Sequence, residues 1–223
     1  MIKKTLVIAP HPDDEILGCG GTLLRRKMEG CTTGWLIVTG ITAEAGWPAD
    51  RVLRRDKEIK EVTRLMGLDQ VFNLRLPTTG LDALPMSEVV SAFSSVFRSF
   101  EPEEIFVPHG GDVHSDHRVT FNAVAACAKW FRYPSVRRVL AYETPSETEF
   151  SLGKGDPFEP NYFVDISEHL ERKLEIMNVY RTELGEFPFP RSLRAIRALA
   201  EWRGASAGYP AAEAFELLRE RVG

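Results

Sequence analysis

Two short stretches of this chain gather most of the side chains able to hold a metal or move a proton. In VIAPHPDDE, residues 7–15, His11 stands just before the adjacent acids Asp13 and Asp14, with Glu15 behind them. In PHGGDVHSDHR, residues 108–118, His109, His114 and His117 alternate with Asp112 and Asp116. Neighbouring carboxylates repel, and a bound cation relieves that repulsion. Histidine nitrogen and aspartate oxygen are good ligands for a borderline metal such as zinc, although the same donor types also suit iron. With His11, Asp14 and His117 as ligands, the site has three protein groups and one open position, as in a catalytic centre rather than a closed structural one. Asp13 is then a carboxylate beside the metal, available as a base. Asp116 can orient an imidazole. The plainer alternatives are acids that cap a helix N-terminus and a solvated polar loop. Capping accounts for one acid of the first stretch, not for a histidine beside two of them. A lone histidine would suit a solvated loop, but three of the chain's five histidines fall in the second stretch.

A fold must bring these two stretches together. Strand-like runs at 5–9, 33–39, 70–76, 103–108, 137–143 and 161–166 alternate with helical patterns near 15–29, 49–66, 86–100 and 116–131. The runs are nearly all apolar, as expected when both faces of a sheet are covered. Strand–helix alternation implies parallel pairing through right-handed crossovers. The expected fold is therefore α/β, a three-layer Rossmann-like arrangement with a mostly parallel sheet and helices on both faces. Parallel strands of an open sheet point their carboxyl ends at one edge, where ligands bind. The groups after the first and fourth runs fall on that edge and can meet.

Beyond residue 166 the pattern changes. Ser167 is the expected N-cap of a helix from Glu168 to about Glu183. The turn EFPFPRS follows, then helical patterns near 192–203 and 211–222, a helical C-terminal tail. One domain over residues 1–223 is expected. The longest irregular pieces, 40–49, 77–85 and 144–160, are where substrate contacts are often carried. Arg191, Arg194 and Arg197 recur at a spacing that makes a solvated helix face. Arg191, at the helix start, is the one placed to reach a substrate or a neighbouring subunit. Gly18, Gly20 and Gly21 follow the first run, but G-x-G-x-x-G would need glycine where Leu23 stands. Acids at that helix start also disfavour phosphate, so a dinucleotide site is excluded.

Composition removes further classes. A net charge of −4 gives no support to nucleic-acid binding. Three widely spaced cysteines form neither a disulfide framework nor a CxxC site and read as reduced thiols of a cytoplasmic protein. The run Thr5 to Pro10 is too short for a signal-peptide core. No stretch approaches the ~20 apolar residues of a membrane span.

PHPDDEILGCGGTL, followed by HSDH at 114–117, resembles the PIG-L/LmbE-like N-acetylglucosaminyl deacetylases, zinc-dependent enzymes that remove acetyl groups from amino sugars. RRDKEIKEVTRLMG (54–67) resembles the family's second helix, and YETPSETEF (142–150), PNYFVDIS (160–167) and PRSLRAIRALAEWRG (190–204) resemble later segments of bacterial members, so most of the chain is covered. The resemblance implies His11, Asp14 and His117 as ligands of Zn2+, with Fe2+ or Co2+ as alternative ions. It implies Asp13 as general base, and His114, tuned by Asp116, as the group that stabilises the oxyanion or donates a proton. A protonated His114 is expected in that role. Arg55 matches the family's sugar-contacting arginine, with Arg54 one position away. Some relatives carry tyrosine where Asp112 stands, and an aspartate cannot act as that phenol would.

The implied substrate is an N-acetylated sugar or sugar conjugate, and the implied assembly is a homo-oligomer, trimer or hexamer. The loop TPSETEFSLGKGDPFEP (144–160) is expected to help select what the sugar is attached to. Two other readings compete. A phosphoesterase or amidase would also use Asp/His-rich loops, but phosphoryl sites commonly hold two metals and more ligands. A noncatalytic carbohydrate-binding protein would have no need of Asp13.

Overall fold

All six expected strands are present in the structure, a computed structural model that describes residues 2–152 and 157–223. Residues 153–156, part of the 144–160 loop, lie outside the described residues. The strands are β1 (Lys4–Ala9), β2 (Thr32–Gly40), β3 (Gln70–Pro77), β4 (Glu104–Pro108), β5 (Arg138–Tyr142) and β6 (Tyr162–Asp165), and a seventh, β7 (Ala212–Glu220), follows near the C-terminus. They form one sheet in the order β3-β2-β1-β4-β5-β7-β6. The first five are parallel, and β7 runs antiparallel to both β5 and β6. The helices are α1 (Asp14–Met28), α2 (Ala49–Met66), α3 (Met86–Phe100), α4 (Ser115–Cys127), α5 (Leu170–Met177) and α6 (Leu193–Ala207).

Both faces of the sheet are covered, and that explains the unbroken apolar runs. On β1, Val7 and Ala9 face a core completed by α1, α2, α5 and α6. Leu6 and Ile8 face the opposite core, against Phe93, Phe97 and Phe100 of α3 and Val124 of α4. Each side chain of that size contributes roughly 1.5–3 kcal/mol on full burial. The Rossmann-like reading is therefore realised on both faces. Among the described residues, no helix is long and apolar enough to cross a membrane.

The segment expected to be a helix at 211–222 is instead β7. Its Ala, Glu, Leu and Arg residues favour helix by intrinsic propensity. The slot between β5 and β6 offers backbone partners on both sides, and tertiary pairing overrides propensity there. Glu213 of this strand is buried and fully used. It accepts from Lys173 Nζ (2.7 Å) and from the N–H groups of Gly21 (2.9 Å) and Thr22 (2.7 Å). Those two N–H groups face Glu213 because α1 leaves helical geometry at Cys19. Ser167 does not cap α5 either, since its hydroxyl donates to Asp165 Oδ1 (2.6 Å). That helix starts later and gives way to a 3-10 turn at Asn178–Tyr180. Ser192, by contrast, caps α6 through the Ala195 N–H (3.1 Å).

The glycines of the first motif serve close packing. A Cβ on Gly18 would lie 2.2 Å from the Tyr142 ring, and one on Gly21 would lie 2.8 Å from Ile166. Their absence lets α1 settle against the sheet with its N-terminus over the carboxyl end of β1. Because β1 lies beside β4, the chain leaves both strands at one edge, and the two polar stretches meet.

Candidate metal centre and substrate cleft

The HPDD turn is built around Asp13, whose φ of 141° is a strained backbone for a residue with a side chain. Its carbonyl accepts the first helical bonds of α1, from Ile16 (3.0 Å) and Leu17 (2.9 Å). Its own N–H donates to Glu15 Oε2 (2.9 Å), and Tyr180 Oη donates to Glu15 Oε1 (2.7 Å). Glu15 therefore holds the turn from beneath. Burial pushes its carboxyl up to about 8.

Asp14 Oδ2 is the meeting point of the site. It lies 3.4 Å from His11 Nδ1 and 3.3 Å from His117 Nε2, and it accepts the His11 N–H (2.9 Å). Each imidazole has a second carboxylate behind it. His11 Nε2 lies 3.0 Å from Asp116 Oδ2, and His117 Nδ1 lies 2.8 Å from Asp112 Oδ2. Those carboxylates are held in turn. Asp116 accepts the N–H groups of Thr79 (2.7 Å) and Leu81 (3.1 Å), and Asp112 accepts the Thr148 hydroxyl (2.6 Å). Metal-binding histidines usually use their second nitrogen in this way, to fix ring and tautomer.

The charges respond to this crowding. Burial works against a protonated His11, but the hydrogen bonds to Asp116 and Asp14 outweigh it and raise its pKa to about 9. Burial likewise opposes a charged His117, and the Asp14 charge and the Asp112 bond raise it to about 10. Despite burial, the same two rings hold Asp14 well below the usual carboxylate range. The cluster thus attracts positive charge, first as protons, and a divalent ion can take their place. Donor atoms of His11, Asp14 and His117 lie within 4.8 Å of one another, so the residues present fit such an ion. A second group, His11, His114 and Asp116, shares His11 with the first. Sharing favours one ion over a pair.

Asp13 stands beside this cluster with its side chain buried. Burial and the Asp14 charge push it up to about 7, against the pull of Arg191. Arg191 Nη1 donates to Asp13 Oδ2 (2.9 Å) and Arg191 Nε to Ser146 Oγ (2.7 Å), while Glu147 lies 3.5 Å from Nη2. The structure thus places Arg191 against Asp13.

His114 edges against His11 with ring centroids 4.6 Å apart. Its Nδ1 accepts the Asp116 N–H (3.1 Å), which makes it the N-cap of α4. The Asp116 carboxylate goes to His11, so it is the backbone N–H of Asp116, not its carboxylate, that meets His114. Burial and the charges of His11 and His117 push His114 below its ordinary value, contrary to the expected protonated ring. Arg55 donates from Nη1 to the Pro12 carbonyl (2.8 Å) and also binds Glu183, so it braces the HPDD turn from α2. Arg54 instead pairs with Asp50 at 3.6 Å.

A cleft of about 230 Å³ opens above these groups. Asp13, His114, Arg55 and Arg191 line its inner end, and Trp47, Arg51, Asn73 and Arg75 line the rest. Loops 40–49 and 77–85 contribute to its wall through Ile41 and Thr79, and loop 144–160 through Glu147. Sequence reasoning missed Asp112 as the partner of His117. It also missed Glu147, Ser146 and Glu183, which hold the arginines. Cys19, Cys31 and Cys127 are all free and buried away from the cleft.

The profile of the family described as PIG-L, GlcNAc-PI de-N-acetylase, matches residues 6–128, a span that includes both polar stretches. A diacetylchitobiose deacetylase from Thermococcus kodakarensis is 27% identical over 227 residues, covering 97% of this chain and 84% of the relative. Among solved structures, the conserved protein TT1542 from Thermus thermophilus superposes with a TM-score of 0.78 at 31% identity, covering 100% of this chain and 97% of the other. The N,N'-diacetylchitobiose deacetylase from Pyrococcus horikoshii, complexed with its inhibitor MPG, gives 0.75 at 25% identity, covering 98% and 84%.

Proposed function

Because the chain belongs to the PIG-L de-N-acetylase family, we propose that it is a metal-dependent hydrolase that removes the acetyl group from an N-acetylated amino sugar of the GlcNAc type. The observation that carries this reading is the pair of imidazoles facing Asp14, each backed by its own buried carboxylate. His11, Asp14 and His117 would hold the ion. A divalent ion there supplies Lewis acidity and lowers the pKa of a bound water toward ~7.

The remaining steps belong to side chains of this chain. Asp13, whose pKa of about 7 in the absence of a metal would be drawn down by a bound cation, is ionised at neutral pH and takes the proton of the attacking water. Arg191 fixes its carboxylate in place. His114 enters the reaction neutral. Its Nδ1 accepts the Asp116 N–H, so the ring proton sits on Nε2, available to donate to the oxyanion of the tetrahedral intermediate. Asp116 acts on His114 through that N–H while its carboxylate orients His11. Asp13, by then protonated, returns its proton to the leaving amine. Arg55 acts on the substrate wall of the cleft while bracing Pro12. Acetate and a free amino sugar are the products.

The test is amine release from N-acetylglucosamine and N,N'-diacetylchitobiose, with and without chelator and added zinc, with Asp13→Asn beside the wild type. Chelator-sensitive release that disappears in the variant supports the assignment. No release from any acetamide by protein shown to hold its metal would sink it.

A further inference from the structure

Arg51 stands apart from the other arginines of the cleft. Arg55 is paired with Glu183 and Glu58, Arg191 with Asp13 and Glu147, and Arg75 with Asp56 at 3.5 Å. Among the described residues, no carboxylate lies within salt-bridge distance of the exposed Arg51 guanidinium. Its contact is with Trp47, whose ring centroid lies 4.6 Å from Arg51 Cζ. Trp47 is presented by a turn in which its N–H donates to the Thr42 carbonyl (3.2 Å), immediately before α2. The indole face restrains the guanidinium, and no described carboxylate occupies its N–H edges. Those edges form the fork that binds carboxylate or phosphate oxygens in pairs.

Arg75 reaches the same cleft from β3. Its φ of 51° is a strained value for a residue with a side chain, and the β2–β3 register shifts beside it, between Ile37 and Thr39. Irregularities of this kind re-aim side chains next to functional sites. A second cavity, of about 290 Å³ and lined by Arg51, Arg54, Arg55, Glu58 and Thr182, adjoins the same stretch of α2.

Most of the charge lining the cleft is already paired, Arg75 with Asp56 included. Beside the His11–Asp14–His117 cluster, the cleft's carboxylates are matched by cations, Glu183 by Arg55 and Asp13 and Glu147 by Arg191. Among the described residues, the cleft arginine that meets no carboxylate is Arg51, which is exposed and so stands toward the cleft mouth, where a group attached to the sugar would lie. We propose that the substrate is an N-acetylated amino sugar whose attached group carries a carboxylate or phosphate, received by Trp47-stacked Arg51 with Arg75 on the same cleft. This rests on the deacetylase reading above.

The test uses three N-acetylglucosamine conjugates of matched size, one neutral, one carrying a carboxylate and one carrying a phosphate. Amine release is measured with the metal-loaded enzyme and with Arg51→Gln and Arg51→Glu. The expected kcat/KM for at least one anionic conjugate exceeds that of the neutral one about tenfold, the scale of one charge-assisted contact. The better of the two anions identifies the attached group. Arg51→Gln removes most of that ratio, with the loss in KM, and Arg51→Glu reverses it. Added salt shrinks the wild-type ratio. A ratio between two substrates on one protein does not depend on how much of the variant is folded. Equal kcat/KM for neutral and anionic conjugates, or a ratio unmoved by Arg51→Gln, overturns this inference and leaves the deacetylase intact. No amine from any conjugate overturns both.

Discussion

His117 Nδ1 and Asp112 Oδ2 lie 2.8 Å apart with both side chains buried, and that contact decides which ring nitrogen faces Asp14. Asp112 Oδ2 accepts from the Nδ1–H of His117, so when a metal takes the place of the Nε2 proton, Nε2 is the nitrogen that offers its lone pair to the ligand set. In Asp112→Asn, the amide can turn its NH2 group to Nδ1 and stabilise the opposite tautomer. Such changes behind a metal ligand typically cost 10–100-fold in affinity. Zinc competition against a chelator of known affinity measures it, and wild-type affinity in Asp112→Asn would show that the contact does not prepare His117.

In the proposed reaction, the Arg191–Asp13 pair is expected to set the acid limb of activity. Without a metal Asp13 has a pKa of about 7, and a cation beside it favours the ionised form, so if Asp13 must be ionised to act, the acid limb of kcat/KM falls at or below that pH. The Arg191 charge favours the ionised form, so Arg191→Met moves that limb to higher pH and lowers the rate at neutrality. Arg191→Lys keeps the charge and recovers part of the shift. A pH profile of kcat/KM for the three proteins decides it. A limb that stays in place while only the rate falls would make Arg191 a substrate contact alone.

Much of this site is legible in the sequence because the ligand types stand together in HPDD and HSDH, and the apolar runs before them are unmistakable strands. What could not be read rests on partners far away in the chain. Asp112 sits after two glycines and looks like loop polarity; nothing in its neighbourhood announces that it serves His117. Asp116 stands close to His114 in sequence, yet its carboxylate crosses to His11 on another loop. Ser146, Glu147 and Glu183 act by holding arginines from other segments, and no motif marks them. β7 escaped for a related reason. Its residues favour helix, and only the open slot between β5 and β6 makes it a strand.

Metal removal couples stability to pH. In the metal-free protein, His11 and His117 have folded pKa values of about 9 and about 10, above their ordinary 6.5. Their contribution is fully present below pH 6.5 and is lost as pH rises through the folded values. Asp13 at about 7 and Glu15 at about 8 are also raised, so their contributions likewise decline above their ordinary carboxylate pKa values. The metal-free protein should therefore melt at progressively lower temperature from about pH 5 to about pH 9. Zinc at 100 times its dissociation constant adds about 2.7 kcal/mol, and at a fixed zinc concentration the gain should grow with pH, because the dissociation constant falls as competing protons leave. Thermal melts of chelated and zinc-loaded protein across this range test both slopes. A chelated protein that gains stability toward the alkaline end would contradict the assigned shifts.

Gly18→Ala separates packing from chemistry in the first motif. The new Cβ would lie 2.2 Å from Cδ2 of Tyr142, and the ring cannot easily retreat because its hydroxyl donates to the Ile8 carbonyl (2.9 Å). Overpacking of this kind costs about 1–3 kcal/mol. At Gly20 the nearest heavy atom to a new Cβ is the Ile16 methyl at 3.3 Å, so Gly20→Ala meets less resistance and gains helix propensity. The expected order of thermal stability is Gly20→Ala close to wild type and Gly18→Ala well below it. Activity should fall with Gly18→Ala as well, because moving α1 off Tyr142 also moves Asp14 at the start of that helix away from His117. Equal melting temperatures for the two variants would show that α1 can shift freely against the sheet, and the glycines would then need another explanation.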